Sequence, residues 1–237
     1  MRSISLKTAR LILSTALVLT ATVAINVYVP ATKGYFNLGE TMIYLVALLF
    51  DPSTAAFAGG VGSALADVAL GYLIYAPATL VIKASEGALA SILVKKFRER
   101  RGGLIAFSVT AVIAYFFVIF AIGYTFFAGE FELTLGGFAT LKGFVAPLSW
   151  MILALAGIAT PLYLVIRHRR AVGLILLSLL LAGAVMILGY YLYEQVVLGY
   201  YALAEVPVNF GQVVLGIAVA IPCYTLVTKY LRAAEHA

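Results

Sequence analysis

The tightest constraint on this chain is where its charges are missing. Residues 104–127, and again 143–166, contain no charged side chain. A helix of about 20 mostly apolar residues crosses a hydrocarbon core of about 30 Å. Reading the chain for apolar runs, nearly free of charge and bounded by charges, Gly or Pro, gives eight, approximately 9–29, 39–51, 53–72, 77–96, 104–127, 143–166, 171–193 and 206–230. The composition agrees, at 64% hydrophobic and 11% charged residues. A soluble domain runs near 45–50% apolar and about 25% charged. A soluble fold of this size could not hide so much apolar surface. A soluble enzyme, a disordered chain and a nucleic-acid binder are therefore excluded.

Asp51-Pro52 divides the second run from the third. One helix over 39–72 would be about 50 Å long at 1.5 Å per residue, too long for one crossing, and Pro ends or kinks helices. Two helices are expected. The first run follows Arg2, Lys7 and Arg10, as in the n-region of a signal peptide, but 11–29 is longer than a usual signal core. It is expected to be a retained helix. The expected fold is an all-α integral membrane protein, a helical bundle of about eight transmembrane helices forming a single membrane domain, 1–237.

With the N- and C-termini cytoplasmic, the inner segments carry Arg2, Lys7, Arg10, Lys95, Lys96, Arg98, Arg100, Arg101, Arg167, Arg169, Arg170, Lys229 and Arg232, or 13 of the 16 basic residues. Outer loops keep Lys33 and Lys142. Basic residues favour the cytoplasmic side, so the net charge of +6 reads as topology rather than as a nucleic-acid footprint. Glu40, Glu130, Glu132, Glu194 and Glu205 fall on the outer side in this arrangement. The single cysteine, Cys223, lies in the apolar run 217–227 and permits no intrachain disulfide. His168 and His236 stand apart from any Cys or His cluster, so no metal site and no cofactor is expected.

Charges inside spans are costly, and mark function unless they face a partner or a cavity. Asp67, Lys83 and Glu86 lie well inside. Asp67 falls about one turn below the outer end of the third span. Lys83 and Glu86 fall about 9 and 13 Å below the start of the fourth, at 1.5 Å per residue. An Asp67–Lys83 pair is expected across the short loop 72–76, with Lys83 and Glu86 on one helix face. Asn209 and Gln212 on the last span, Asn37 and Glu40 before the second, and Tyr72, Tyr75, Tyr190 and Tyr191 fall at the same outer level. Together they suggest an outward-facing polar pocket. The competing reading is a purely structural ion pair, with tyrosines as an interfacial belt. Small residues recur every four positions at Gly59, Ser63, Asp67 and Gly71, and at Ala16, Thr20 and Ala24. Such seams let helices approach closely. The first is expected to serve internal packing, whereas the second is equally suited to a partner subunit.

Four segments carry a resemblance. They are Asn37-Leu38-Gly39-Glu40-Thr41-Met42-Ile43-Tyr44; Phe50-Asp51-Pro52-Ser53-Thr54 continuing to Gly59-Gly60-Val61-Gly62-Ser63-Ala64-Leu65-Ala66-Asp67; Gly71-Tyr72 with Ala76-Pro77-Ala78-Thr79-Leu80-Val81-Ile82-Lys83-Ala84-Ser85-Glu86-Gly87; and Glu205-Val206-Pro207-Val208-Asn209-Phe210-Gly211-Gln212. They resemble the substrate-binding S component of energy-coupling factor (ECF) vitamin transporters, riboflavin-type branch. The resemblance implies a membrane subunit that binds a vitamin-like solute from outside. It implies partnership with a transmembrane coupling subunit and two cytoplasmic ATPases, and toppling of the S component during transport. It implies a lid at 30–40 and docking of the coupling subunit on Ala16, Thr20 and Ala24, with Thr20 where the family's stripe has Ala. Family members usually have six helices. The surplus is expected to be a helical hairpin inserted at 104–166, between core helices 9–96 and 171–230.

The function expected is therefore solute capture for an ATP-driven importer. The chain lacks G-x-x-x-x-G-K-[ST] and so carries no P-loop of its own. Lys83 would meet an anionic or carbonyl group of the solute, with Asp67 orienting it. Glu86, Asn209 and Gln212 would hydrogen-bond the solute, and tyrosines would stack on a planar ring. The alternative is a stand-alone proton-coupled carrier using Asp67 or Glu86. No His lies within a span, which removes a Ser/His enzyme.

Overall fold

The computed structural model describes residues 5–29, 34–99, 103–126, 129–135, 139–166, 170–197 and 199–235. Its helices are α1 Leu6–Ala24, α2 Gly39–Leu49, α3 Pro52–Leu70, α4 Ala76–Glu99, α5 Gly103–Phe126, α6 Pro147–Ile166, α7 Arg170–Val197 and α8 Glu205–Glu235. Each falls on one of the eight apolar runs. Among the described residues, α1, α3, α4, α7 and α8 are long and apolar enough to cross a membrane. At 11 residues, α2 is much shorter.

The fold is not purely α. Strand β1 (Asn26–Val29) pairs antiparallel with β2 (Gly34–Asn37), and β3 (Gly129–Leu135) with β4 (Ala139–Val145). The expected first span to 29 thus stops at Ala24, and the sixth starts at Pro147 rather than 143. The misreading has a physical cause. Asn-Val-Tyr-Val is rich in β-branched and aromatic residues, which suit an extended backbone. Hydropathy alone does not separate a short apolar strand from the end of a helix.

The α2–α3 break is built by Asp51-Pro52. The Asp51 carboxylate caps α3, accepting from the backbone N–H of Ser53 and of Thr54, both at 3.1 Å. Pro52 sits at the first helical position, where its missing N–H costs nothing. At the other end of α3, Gly71 takes a left-handed conformation (φ 87°), and Tyr72 N–H returns to the Asp67 carbonyl at 2.7 Å. The chain then re-enters the bundle as α4.

The contacts among α1 to α4, α7 and α8 give the bundle two chemically distinct ends. The Arg10 guanidinium lies 5.9 Å from the centroid of the Phe50 ring, and Ser91 Oγ donates to the Phe50 carbonyl at 3.0 Å. These contacts gather the start of α1, the end of α2 and the later part of α4 at one end. The β1–β2 hairpin, the α3–α4 turn and the start of α8 meet at the opposite end. From there α4 carries Lys95 and Lys96, and α8 carries Lys229 and Arg232, toward the Arg10 end.

Close packing of α3 on α4 fixes the depth of the buried charges. A Cβ added at Gly59 would lie 2.7 Å from the Lys83 carbonyl oxygen, so only glycine lets the two backbones meet there. At Gly59 the seam serves internal packing, whereas Ser63 and Asp67 of the same seam line a cavity. Helix α2 runs through the centre of the bundle, with Ile43 and Tyr44 fully buried. Helices α5 and α6 pack on each other and on α7, and Phe116 meets Phe210 of α8 edge to face at 5.8 Å. Of the residues expected to bear on topology or metal binding, Arg2, Lys33, Arg100, Arg101, Arg167, Arg169, His168 and His236 lie outside the described residues, as does 30–33 of the expected lid.

Candidate functional site

The deepest part of the site is an ion triad. Lys83 Nζ pairs with Glu40 Oε1 and, at 3.4 Å, with Glu86 Oε2. Tyr44 Oη donates to Glu86 Oε1 at 2.7 Å. All four side chains are buried. The elements explain the meeting: Glu40 opens α2, Tyr44 follows one turn later, and Lys83 and Glu86 share one face of α4. A buried ion pair survives only with good geometry and satisfied partners, since desolvation costs several kcal/mol per ion. Lys83 also lies 5.3 Å from the centroid of the Tyr190 ring, within cation–π range.

Above the triad is a cavity of about 40 Å³, room for roughly three waters. Its lining comes from β2 (Tyr35, Asn37), α3 (Ser63, Asp67), α4 (Thr79, Lys83), α7 (Tyr190, Glu194) and α8 (Glu205, Asn209, Gln212), with Thr22 of α1 and Tyr75. The β1–β2 hairpin is tied across it. Tyr35 Oη donates to Asp67 Oδ1 at 2.6 Å, and the Tyr35 ring stacks on Tyr72 at 4.5 Å between centroids. The Asn37 backbone N–H donates to Gln212 Oε1 at 3.2 Å, while Gln212 Nε2 donates to Asn209 Oδ1 at 3.0 Å. Tyr190 Oη donates to Thr79 Oγ1 at 2.9 Å, joining α7 to α4.

Outside the spans, two phenols report this environment. Burial, then the Asp67 charge, pushes the Tyr35 hydroxyl far above its ordinary range, so it stays a donor. Burial, then Glu194 and Glu205, pushes Tyr75 up as well.

Asn37, Asp67, Tyr75, Lys83, Tyr190, Asn209 and Gln212 line the cavity together. Glu40 and Glu86 stand behind it, holding Lys83, and Tyr72 braces the hairpin. The expected Asp67–Lys83 pair is not made. Asp67 binds Tyr35, and Lys83 is drawn to the two glutamates, because α2 brings Glu40 between the helices. Ala16, Thr20 and Ala24 occupy the exposed face of α1, opposite buried Ser14, Val18 and Thr22.

Sequence reasoning missed Thr22, Tyr35, Ser63, Thr79, Glu194 and Glu205 as lining residues. Glu194 and Glu205 had been assigned to outer loops, yet they are only 2% and 4% exposed. Helical spacing offered a signal for both. Tyr190 and Glu194 are four apart, and Glu205, Asn209 and Gln212 follow at four and three, each set on one face. Tyr35 had no such signal, because its role depends on a hairpin that hydropathy conceals.

A family model described as ECF-type riboflavin transporter, S component, matches residues 5–168. That match runs from α1 through α6. A protein of Pyrococcus woesei, described as an uncharacterized protein in a gap 3' region, is 54% identical over 68 residues. The shared segment is 29% of this chain and 45% of that protein, so the chain spans less than half of that relative's length.

Proposed function

This chain belongs to the family of ECF-type riboflavin transporter S components, and on that premise we propose that it captures a vitamin or related small planar solute from outside the cell and delivers it to an ATP-driven importer. It is a multi-pass protein of the cell membrane and a substrate-binding subunit of a transporter. A transmembrane coupling subunit and two cytoplasmic ATPases are its partners in this reading, and the chain performs no chemistry on the solute.

One observation carries the proposal. The polar, tyrosine-bearing cavity sits at one end of the bundle beside the β1–β2 hairpin, and the basic residues of α1, α4 and α8 lie toward the other. Basic residues favour the cytoplasm. The N- and C-termini are then cytoplasmic and the cavity faces out, with α2, too short to cross the hydrocarbon core, held inside the bundle. Three waters' worth of room is too little for a planar vitamin, so the β1–β2 hairpin swings aside for entry. The exposed stripe Ala16, Thr20 and Ala24 is the docking surface for the coupling subunit. Among the described residues no cavity-lining side chain comes from α5 or α6, so in this reading the pair is a scaffold for the bundle.

The test is uptake into liposomes. The purified chain with its coupling subunit and ATPases should accumulate solute only when ATP is supplied. Accumulation by the chain alone under a pH gradient would overturn the ATP-driven reading in favour of a proton-coupled carrier.

A further inference from the structure

Most polar side chains around the cavity are already engaged. Gln212 accepts from the Asn37 backbone and donates to Asn209. Tyr190 donates to Thr79, which in turn interacts with Asp67, and Tyr35 donates to Asp67 as well. Lys83 is held by Glu40 and Glu86. Tyr75 and Glu205 have interactions of their own. Glu194 is different. It lines the cavity, is only 2% exposed, and its Oε2 has no hydrogen-bond partner among the described residues. Nor does a cation pair with it there, since both ion pairs among those residues are made by Lys83 with Glu40 and Glu86. A carboxyl buried without a cation keeps its proton rather than its charge. Glu205 lies near enough that both acids act on the Tyr75 hydroxyl, and like charges at short range disfavour ionising the pair.

A neutral carboxyl sets one O–H donor beside one carbonyl acceptor, in a single plane. Its complement is a flat edge with a carbonyl beside an N–H, which it meets through two parallel hydrogen bonds. From this we infer that Glu194 of α7 is a specificity residue of the cavity, binding as a neutral carboxylic acid to the lactam-type edge (C=O beside ring N–H) of a planar heterocycle. The inference rests on the solute-capture reading above. An amine would leave the Glu194 O–H without an acceptor. A wholly apolar ring would leave its donor and its acceptor both unpaired in a buried site, which is costly. A solute carboxylate or phosphate would bring a further negative charge beside Glu205 and Asp67, with the lining cation Lys83 already held. Tyr190 lies one turn before Glu194 on the same face of α7, and Tyr75 shares the wall, so ring faces stand ready for the heterocycle to lie against.

The experiment deletes one hydrogen bond from each side. Riboflavin carries such an edge, with its N3–H between two carbonyls, and 3-methylriboflavin lacks the N–H. The full chain, purified in mild detergent, is titrated with both by flavin fluorescence, as wild type, Glu194→Gln and Glu194→Leu. Small molecules released from the purified protein by denaturation are identified by mass spectrometry; if the solute is another ring, it and its N-methyl form replace the flavins. In the wild type, methylation should weaken binding by about tenfold or more, the cost of a buried polar group left unpaired. Glutamine presents a donor beside an acceptor without charge, so Glu194→Gln should keep affinity within about threefold. Glu194→Leu should lose about tenfold or more, and with it most of the preference for the unmethylated ring. Should the leucine variant fail to fold, the methyl comparison and Glu194→Gln decide between them. Equal binding of the two flavins, a Glu194→Gln loss as large as that expected for leucine, or a released solute without a carbonyl beside an N–H overturns the role given to Glu194 while leaving solute capture standing. Release of lipid alone, with no response to either flavin, overturns solute capture and this inference together.

Discussion

Tyr35 Oη donates to Asp67 Oδ1 at 2.6 Å, joining a hairpin outside the bundle to a helix 32 positions later in the chain. The same ring stacks on Tyr72, just past the end of α3. A hydroxyl and a ring face thus hold the hairpin at two points. A hydrogen bond to a charged group is worth about 1.5–3 kcal/mol net. Tyr35→Phe keeps the stack and removes the bond. Dissociation of bound solute should quicken by roughly tenfold or more, since every 1.4 kcal/mol is a factor of ten. Stopped-flow release measures this, and an unchanged rate would remove Tyr35 from the gate.

Lys83 is expected to matter first as a counter-ion. Lys83→Met leaves Glu40 and Glu86 facing each other in a buried site, and breaking a buried pair costs about 3–5 kcal/mol. The thermal midpoint in detergent should fall clearly. Adding Glu40→Gln and Glu86→Gln to the same chain should restore most of it, because no unpaired charge remains. Failure of the neutral triple variant to recover would show that the triad is not the source of the loss.

Gly59→Val should loosen the α3–α4 contact. Its Cβ would stand 2.7 Å from the backbone carbonyl of Lys83, an atom that cannot rotate away. Overpacking of this kind costs about 1–3 kcal/mol. Solute affinity should drop with stability, since the shift moves Asp67 and Lys83 together. Gly71→Ala, at a left-handed position with open space around it, should cost about 1 kcal/mol and leave affinity intact. Paired melting and titration of the two variants separates the cases.

Asp51 provides a pH signature away from the cavity. Hydrogen bonds from Ser53 and Thr54 hold its carboxyl well below the ordinary carboxylate range. A depressed folded value means the cap is fully present above an unfolded pKa of about 4 and fades as pH falls toward the folded value. Asp51→Ala should cost about 1 kcal/mol at pH 7. The gap between wild type and variant should narrow below pH 4, and thermal melts at pH 7 and pH 3 check the sign.

Several parts of the candidate site are legible in the sequence. Asp67, Lys83 and Glu86 stood out because charge inside an apolar run needs a partner. Asn209 and Gln212 followed from their spacing on α8. The pairing among these residues was not legible. Lys83 is about equally reachable by chain geometry from Asp67 and Glu40, and the choice was made by α2 lying between α1, α4 and α8 with its first turn at the depth of Lys83. Glu194 and Glu205 were missed because acids near helix ends read as solvent-facing unless the neighbouring helices are known.

The sequence alone determined the number and order of the helices, the membrane setting and the asymmetry between a basic end and a polar end. Those follow from local quantities: run length, charge, and the breaks made by Asp51-Pro52 and Gly71. Tertiary structure decided the place of the β1–β2 hairpin, the partners of Lys83 and the approach of Glu194 and Glu205 to the cavity. These depend on which faces meet at close range. Burial and electrostatics act between residues distant in the chain, and local pattern carries no record of that meeting.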